Sequence, residues 1–355
     1  MGWICYVTAA MLSGLAAVAP VTAQSSIVVS PGQSYKHDPS GIRIAPQAAG
    51  LPLAHVVQYD DQQLDVALDF RSPDQREVTT VYLFRDVTGD VPVWFDRIQK
   101  TMETSTHVGS LQLAIPPAAF TPAGQKSARG LRAVYSSTGT DWKSSAAAMT
   151  SFGQWYVSVR ASSQTLTPDQ LLARVEQTFA AISWPKEKVQ APAVAPVADC
   201  PNALTQGEDA QPVSGSSDTL AGILVMAGLD VALADESKKK APAPHPVWCR
   251  DPLKLEIAGV YRPDGATDQY LLALNDAGRG ISVAKADLVD IVSKSSAPSY
   301  SVEFVDVNSH RGYGTFSKLP PAAQALWLLE HGTVLYSART WGKDRKIDIN
   351  SDAAK

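Results

Sequence analysis

The residues from which a catalytic or metal centre would be built are scattered. The histidines are His37, His55, His107, His245, His310 and His331, and no two stand at the spacing of a zinc-binding helix. Glu330 and His331 are neighbours, which puts them on different sides of a helix. His310-Arg311-Gly312-Tyr313-Gly314 reads as a flexible loop and lacks the third glycine of a dinucleotide fingerprint. Asp306-Val307-Asn308 opens like a calcium loop, but Arg311 stands where glycine is needed and Ser317 occupies the twelfth position. Ser237 and Lys240 match the Ser-x-x-Lys spacing of some acyl-transfer enzymes, yet they lie within the Lys238-Lys239-Lys240 run, without companion motifs, and there is no G-x-S-x-G elbow. The carboxylates Asp60-Asp61 and Asp65/Asp69 fall on a turn and on a solvated strand face. They become acid or base groups only if folding brings them into a cleft. The sequence thus assigns no catalytic, cofactor-binding or metal-binding residue and calls for no cofactor.

The cysteines are more informative. Cys5 lies in an apolar leader, which leaves Cys200 and Cys249 as an even pair with no third Cys or His at ligand spacing. In an exported protein such a pair predicts a disulfide. Export is the expectation from the amino terminus: Ile4 to Val18 is apolar, and Pro20-Val21-Thr22-Ala23 precedes polar Gln24, as in a secretory signal peptide (residues 1–23) cut after Ala23. Met1-Gly2-Trp3 lacks the usual positive charge, and the competing reading is a retained anchor. A periplasmic or secreted location follows, with no stable transmembrane span once the signal is removed.

Two blocks must position whatever site exists. Residues 24–34 form a flexible lead. Residues 185–199 form a Pro/Ala-rich run in which Pro185, Pro192 and Pro196 oppose helix and central strand. As a polyproline spacer the run could reach roughly 45 Å and hold the blocks apart; the alternative is that it lies flat along one compact body. Residues 24–185 carry 13 Lys and Arg against 14 Asp and Glu, and residues 200–355 carry 16 against 19, so neither block has the basic excess of a nucleic-acid binder.

In the first block, residues 35–184, Gly41-Ile42-Arg43-Ile44 and Leu64 to Phe70 alternate as strands, the latter with Leu64, Val66, Leu68 and Phe70 inward and its Asp residues facing water. Val78 to Phe84 is a third strand. Trp94, Phe95, Ile98 and Met102 predict a helix over 92–103, its aromatic pair a core face. Strands 130–136, 146–150 and 154–161 follow, and Thr167-Pro168-Asp169-Gln170 is a capping box opening a helix with Leu171, Val175, Phe179 and Ile182 inward. This order predicts an α+β fold, an antiparallel sheet with helices packed on one face.

Tyr35, the run Asp38-Pro39-Ser40-Gly41-Ile42-Arg43-Ile44 with Pro46, the mid-block helix and the closing helix with Phe179 and Ile182 resemble the PsbP-like fold of photosystem accessory proteins and several bacterial exported proteins. The resemblance covers about 150 residues and implies accessory or binding work more often than catalysis. It transfers no active-site residue.

The second block, residues 200–355, is expected to be a smaller disulfide-containing α+β or β-rich module. A helix is predicted over Thr219–Ala234. Strands are predicted at 253–261, 269–274, 280–284, 299–307 and 333–340, with a short helix from Pro320 to Leu329. The functional expectation is an exported, non-catalytic binding or envelope-accessory protein with an unknown protein or small-molecule partner. The alternatives are a periplasmic hydrolase whose site assembles only in the fold, and a membrane-anchored structural protein.

Overall fold

Alternating side chains sort the chain into strands that pair almost entirely antiparallel. The structure is a computed structural model describing residues 24–187, 191–213, 228, 245–293, 297–343 and 345–350. The leader, nearly all of the expected helix Thr219–Ala234 and the Ser237/Lys240 pair lie outside the described residues.

The first block contains β1 (Ser25–Ile27), β2 (Tyr35–Lys36), β3 (Arg43–Ile44), β4 (Gln47–Ala48), β5 (Leu51–Gln58), β6 (Asp65–Arg71), β7 (Glu77–Arg85), β8 (Ser110–Phe120), β9 (Gly130–Thr138), β10 (Ser144–Phe152), β11 (Trp155–Ser163) and β12 (Ile182–Ser183). Its main sheet runs β1-β5-β6-β7-β11-β10-β9-β8, with β4 paired to β5 at one side. A small sheet, β12-β3-β2, joins the two ends of the block. Helix α1 (Val91–Thr104) starts at Asp90, whose carboxylate accepts the Val91 N–H. Helix α2 (Pro168–Ala180) starts with the reciprocal Thr167–Gln170 capping box.

Strand β10 shows how the layers are built. Ala146 and Ala148 pack with Leu171, Val175 and Phe179 of α2, whereas Ala147 and Met149 pack with Trp94, Phe95 and Ile98 of α1. Successive side chains leave a strand on opposite faces, so the two helices cover opposite sides of the sheet. The small residues of β10 are what allow both helices to come close.

In the second block, β13 (Ala198–Asp199) runs parallel to β14 (Trp248–Lys254). From there the chain is an antiparallel meander through β15 (Ala258–Pro263), β16 (Tyr270–Leu274), β17 (Arg279–Lys285), β18 (Tyr300–Val305), β19 (Ser309–Phe316), β20 (Tyr336–Arg339) and β21 (Ile347–Ile349). Helices α3 (Asp287–Ser293) and α4 (Ala322–His331) are inserted between strands, and Ala322, Ala325 and Leu328 of α4 join the core of this sheet. Cys200 and Cys249 form a disulfide with a Cα–Cα distance of 4.9 Å, fastening the chain after β13 to β14.

The α+β expectation is corrected by this architecture. Strand makes up 43% and helix 15%, in large antiparallel sheets with only four helices among the described residues, so the fold is mostly β rather than α+β, and the two helices of the first block lie on opposite faces of its sheet rather than together on one. Two strands were hidden by proline and glycine. Pro116 and Pro117 sit inside β8, an edge strand that tolerates missing donors and is irregular on both sides of Ile115. The expected loop at His310–Gly314 is the centre of β19, where Gly312 lies beneath the Tyr336 ring and a Cβ would stand 2.0 Å from it. The expected strand at 253–261 is instead the β14–β15 hairpin.

The blocks share a core. Tyr261, Leu271 and Ala273 of the second block pack with Trp94 and Phe95 of α1, and Asp96 of that helix accepts from Tyr261 Oη at 2.6 Å and Arg250 Nη1 at 2.5 Å. The Pro185–Asp199 run is laid along the first block where it is described. Ser127 Oγ donates to Ala191 O, Val194 N donates to Ala128 O, and Val194 and Val197 pack on the shared core. Trypsin cleavage at Lys186 or Lys188 is therefore expected to leave two fragments that co-elute on size exclusion and separate only in denaturant. Fragments that elute separately in native buffer would contradict the shared core.

Candidate functional site

One face of the first sheet carries the residues of the site. Along β6 it presents Asp65, Ala67 and Asp69, and the register places Asp65 opposite Phe84 and Ala67 opposite Tyr82 on β7. Tyr82 in turn faces Ser158 on β11, one step from Arg160 on the same face. The expectation that the Asp residues of β6 face water fails for Asp65, which is only 5% exposed. The second block lies over this face. Its β16–β17 turn brings Asp276 and Arg279, and the residue after β18, Asp306, closes the other side.

The turn can approach so closely because Gly278 adopts φ +79° and has no side chain. A Cβ there would stand 2.9 Å from the Phe84 ring. Between the blocks a cleft of about 420 Å³ remains, lined by Tyr59, Tyr82 and Phe84 on the first block and by the charged residues of both.

The charges are arranged in alternation. Arg279 donates from Nη1 to Asp65 Oδ2 at 2.8 Å and from Nε to Asp306 Oδ1 at 2.8 Å. Arg160 Nη2 lies 2.8 Å from Asp276 Oδ2, and its guanidinium rides 4.8 Å above the centre of the Tyr82 ring. Burial pushes the Asp65 carboxyl up, with Arg279 pulling against it. Burial lowers Arg279, but Asp65 and Asp306 outweigh that and hold it above the ordinary guanidinium range. Burial also raises the Tyr59 and Tyr82 phenols, so both remain O–H donors at neutral pH.

The arrangement offers hydrogen-bond donors, acceptors and aromatic surface in a space sized for a small ligand. Asp65 was visible in the sequence as a strand carboxylate. Arg160, Asp276 and Arg279 were not singled out, and their only signal was charge within apolar alternating strands or at a strand end.

No family model and no curated protein matches the chain. A solved structure of a protein from Bacteroides thetaiotaomicron shares 12% identity, covering 57% of this chain and 60% of that one, with a TM-score of 0.20.

The remaining candidates fall outside the cleft. Asp60 accepts the N–H groups of Gln62 and Asp65, so it shapes the turn before β6. His37 is fully buried. Its Nδ1 is 2.7 Å from Ser40 Oγ and its Nε2 2.6 Å from Gln63 O, with the ring edge-on to Trp155. His55 lies 3.5 Å from Asp69, His245 3.1 Å from Asp90, and His331 stacks on Trp327. Among the described residues no three His, Cys, Asp or Glu side chains converge to hold a metal, and no helix is long and apolar enough to cross a membrane.

Asp86, just after β7, is a separate titrating group. Burial pushes its carboxyl up to about 7, with the charge of Asp90 adding to this and Tyr156 and Arg85 opposing it. The unfolded chain gives up this proton near pH 4. The folded state therefore binds more protons between about 4 and 7, and stability contributed by Asp86 falls as pH rises through that window. Asp86→Asn is expected to flatten this decline, measured as the difference in urea midpoint between parent and variant from pH 4 to 8.

Proposed function

We propose that this is an exported, non-catalytic binding protein whose ligand sits in the cleft between β6, β7 and β11 on one side and the β16–β17 turn on the other. The observation that carries this reading is the alternation of Asp65, Arg279, Asp306, Arg160 and Asp276 around an open cleft with tyrosine walls. The disulfide is compatible with an oxidising compartment, which supports a periplasmic or secreted setting, and removal of residues 1–23 as a signal is proposed with it. The resemblance of residues 35–184 to PsbP-like proteins points toward accessory work in the same way.

Screening a metabolite library by thermal shift on the full chain tests the proposal. A true ligand is expected to lose at least tenfold in affinity on Tyr59→Leu while the unliganded unfolding midpoint stays unchanged. Ligands that bind equally well to that variant would place the site elsewhere.

The His37–Ser40 pair favours the hydrolase alternative, because His37 Nδ1 stands where a base would take the serine proton and Gln63 O would hold the other ring nitrogen. Against it, Ser40 Oγ already accepts the Ile42 N–H at 3.1 Å, and the imidazole is pushed down by burial and covered by Trp155. A fluorophosphonate probe is expected to leave Ser40 unlabelled. Stoichiometric labelling there would move the function to acyl transfer.

A further inference from the structure

Resting on the binding reading, we infer that the cleft between the blocks takes a small organic ammonium ion. Its charged lining consists of the carboxylates of Asp65, Asp276 and Asp306 against the guanidiniums of Arg160 and Arg279, an excess of one negative charge. The single guanidinium of Arg279 is shared between two carboxylates, Asp65 and Asp306, each at 2.8 Å, while Arg160 serves Asp276 alone. A second anion would add to this excess, and a neutral ligand would leave it uncompensated in a partly desolvated space.

Two features favour an organic cation over a bare metal ion. Each carboxylate is already engaged by an arginine, at 2.8 Å in every case, so the oxygens do not converge on one point as metal ligands would. The walls include aromatic rings; Arg160 already occupies a face of Tyr82, so the ligand's cation would meet Tyr59 or Phe84. Tyr59 supplies a second ring on the same side of the cleft. Ammonium groups bearing carbon substituents are weakly hydrated and attracted to aromatic faces, which matches a cleft that is anionic on one side and aromatic on the other.

The test is calorimetric titration of the full chain with four probes: choline, ethanolammonium, 3,3-dimethylbutan-1-ol as the uncharged analogue of choline, and 3,3-dimethylbutanoate. At least one cation is expected to bind ten times more tightly than the alcohol, with the carboxylate showing no heat of binding. Asp276→Asn and, independently, Tyr59→Leu are expected to weaken the cation at least fivefold, with circular dichroism showing each variant folded at the titration temperature. Equal or tighter binding of the alcohol or the carboxylate overturns the assignment, as does absence of binding by both cations. A neutral or anionic library compound that binds in the cleft would overturn the ammonium assignment and leave the binding reading standing. A library with no cleft ligand of any charge would overturn both.

Discussion

Arg85→Met is expected to destabilise the protein by about 3 kcal/mol or more, because it strips the donor from three buried acceptors. Arg85 ends β7, is 6% exposed, and crosses from the first block to the second. Its Nη1 donates to Val307 O at 2.8 Å and Thr340 Oγ1 at 2.9 Å, and its Nη2 donates to Thr340 O at 3.1 Å. The guanidinium also sits 4.9 Å from the centre of the Trp341 ring, which stacks edge-on against Trp155 of the first block. Burial pulls Arg85 down to about 10, still well above neutral pH, so the charge is present wherever the protein is studied.

Methionine fills much of the same volume but leaves two backbone carbonyls and a hydroxyl without a donor, at about 1–3 kcal/mol for each buried orphan. Because these bonds join the blocks, the variant is expected to unfold in two transitions where the parent unfolds in one, read by urea denaturation with tryptophan fluorescence. A parent-like single transition with an unchanged midpoint would mean that Arg85 does not couple the blocks.

Loss of the Cys200–Cys249 disulfide ranks with it. The cysteines are 49 residues apart, and closing a loop of that length stabilises the folded state by about 4 kcal/mol in the chain-entropy model. The disulfide also holds the short parallel pair of β13 with β14, where only Ala198 and Asp199 take part and Cys200 N donates to Arg250 O. Arg250 then links Asp199 to Asp96 on α1, so the staple stands beside the route by which the inter-block run reaches the shared core. The double variant Cys200→Ala/Cys249→Ala is expected to lower the stability extrapolated to zero denaturant by that amount. Free thiols in the purified parent, measured under denaturing conditions without reductant, would show that the bond does not form.

Much of the local structure was legible because its causes are local. The Thr167–Gln170 capping box, the apolar spacing of α1 and the alternation of Leu64 to Phe70 each arise within one or two turns of chain, and the structure has all three. The fold class was not legible. Pro116-Pro117 and Gly312-x-Gly314 suppress strand propensity locally, but an edge position frees β8 from some of its donors, and the Tyr336 ring fills the space above Gly312. That α1 and α2 take opposite faces of one sheet follows from Ala147 and Ala148 pointing opposite ways in β10, a fact that matters only once both partners are in place.

What the sequence determined by itself was the elements with local causes, such as α1, α2 and the strand through Leu64–Phe70, together with the cysteine pair. What only the tertiary structure decided was the site. Asp65 and Arg279 are 214 residues apart, and Arg85 and Thr340 are 255 apart. A carboxylate on an alternating strand looks solvated until a distant hairpin is laid over it, and hydrophobic periodicity carries no information about which hairpin that will be. The packing of Tyr261 and Leu271 onto α1 brings the β16–β17 turn over β6 and β7, and that packing turns a row of unremarkable charges into a cleft.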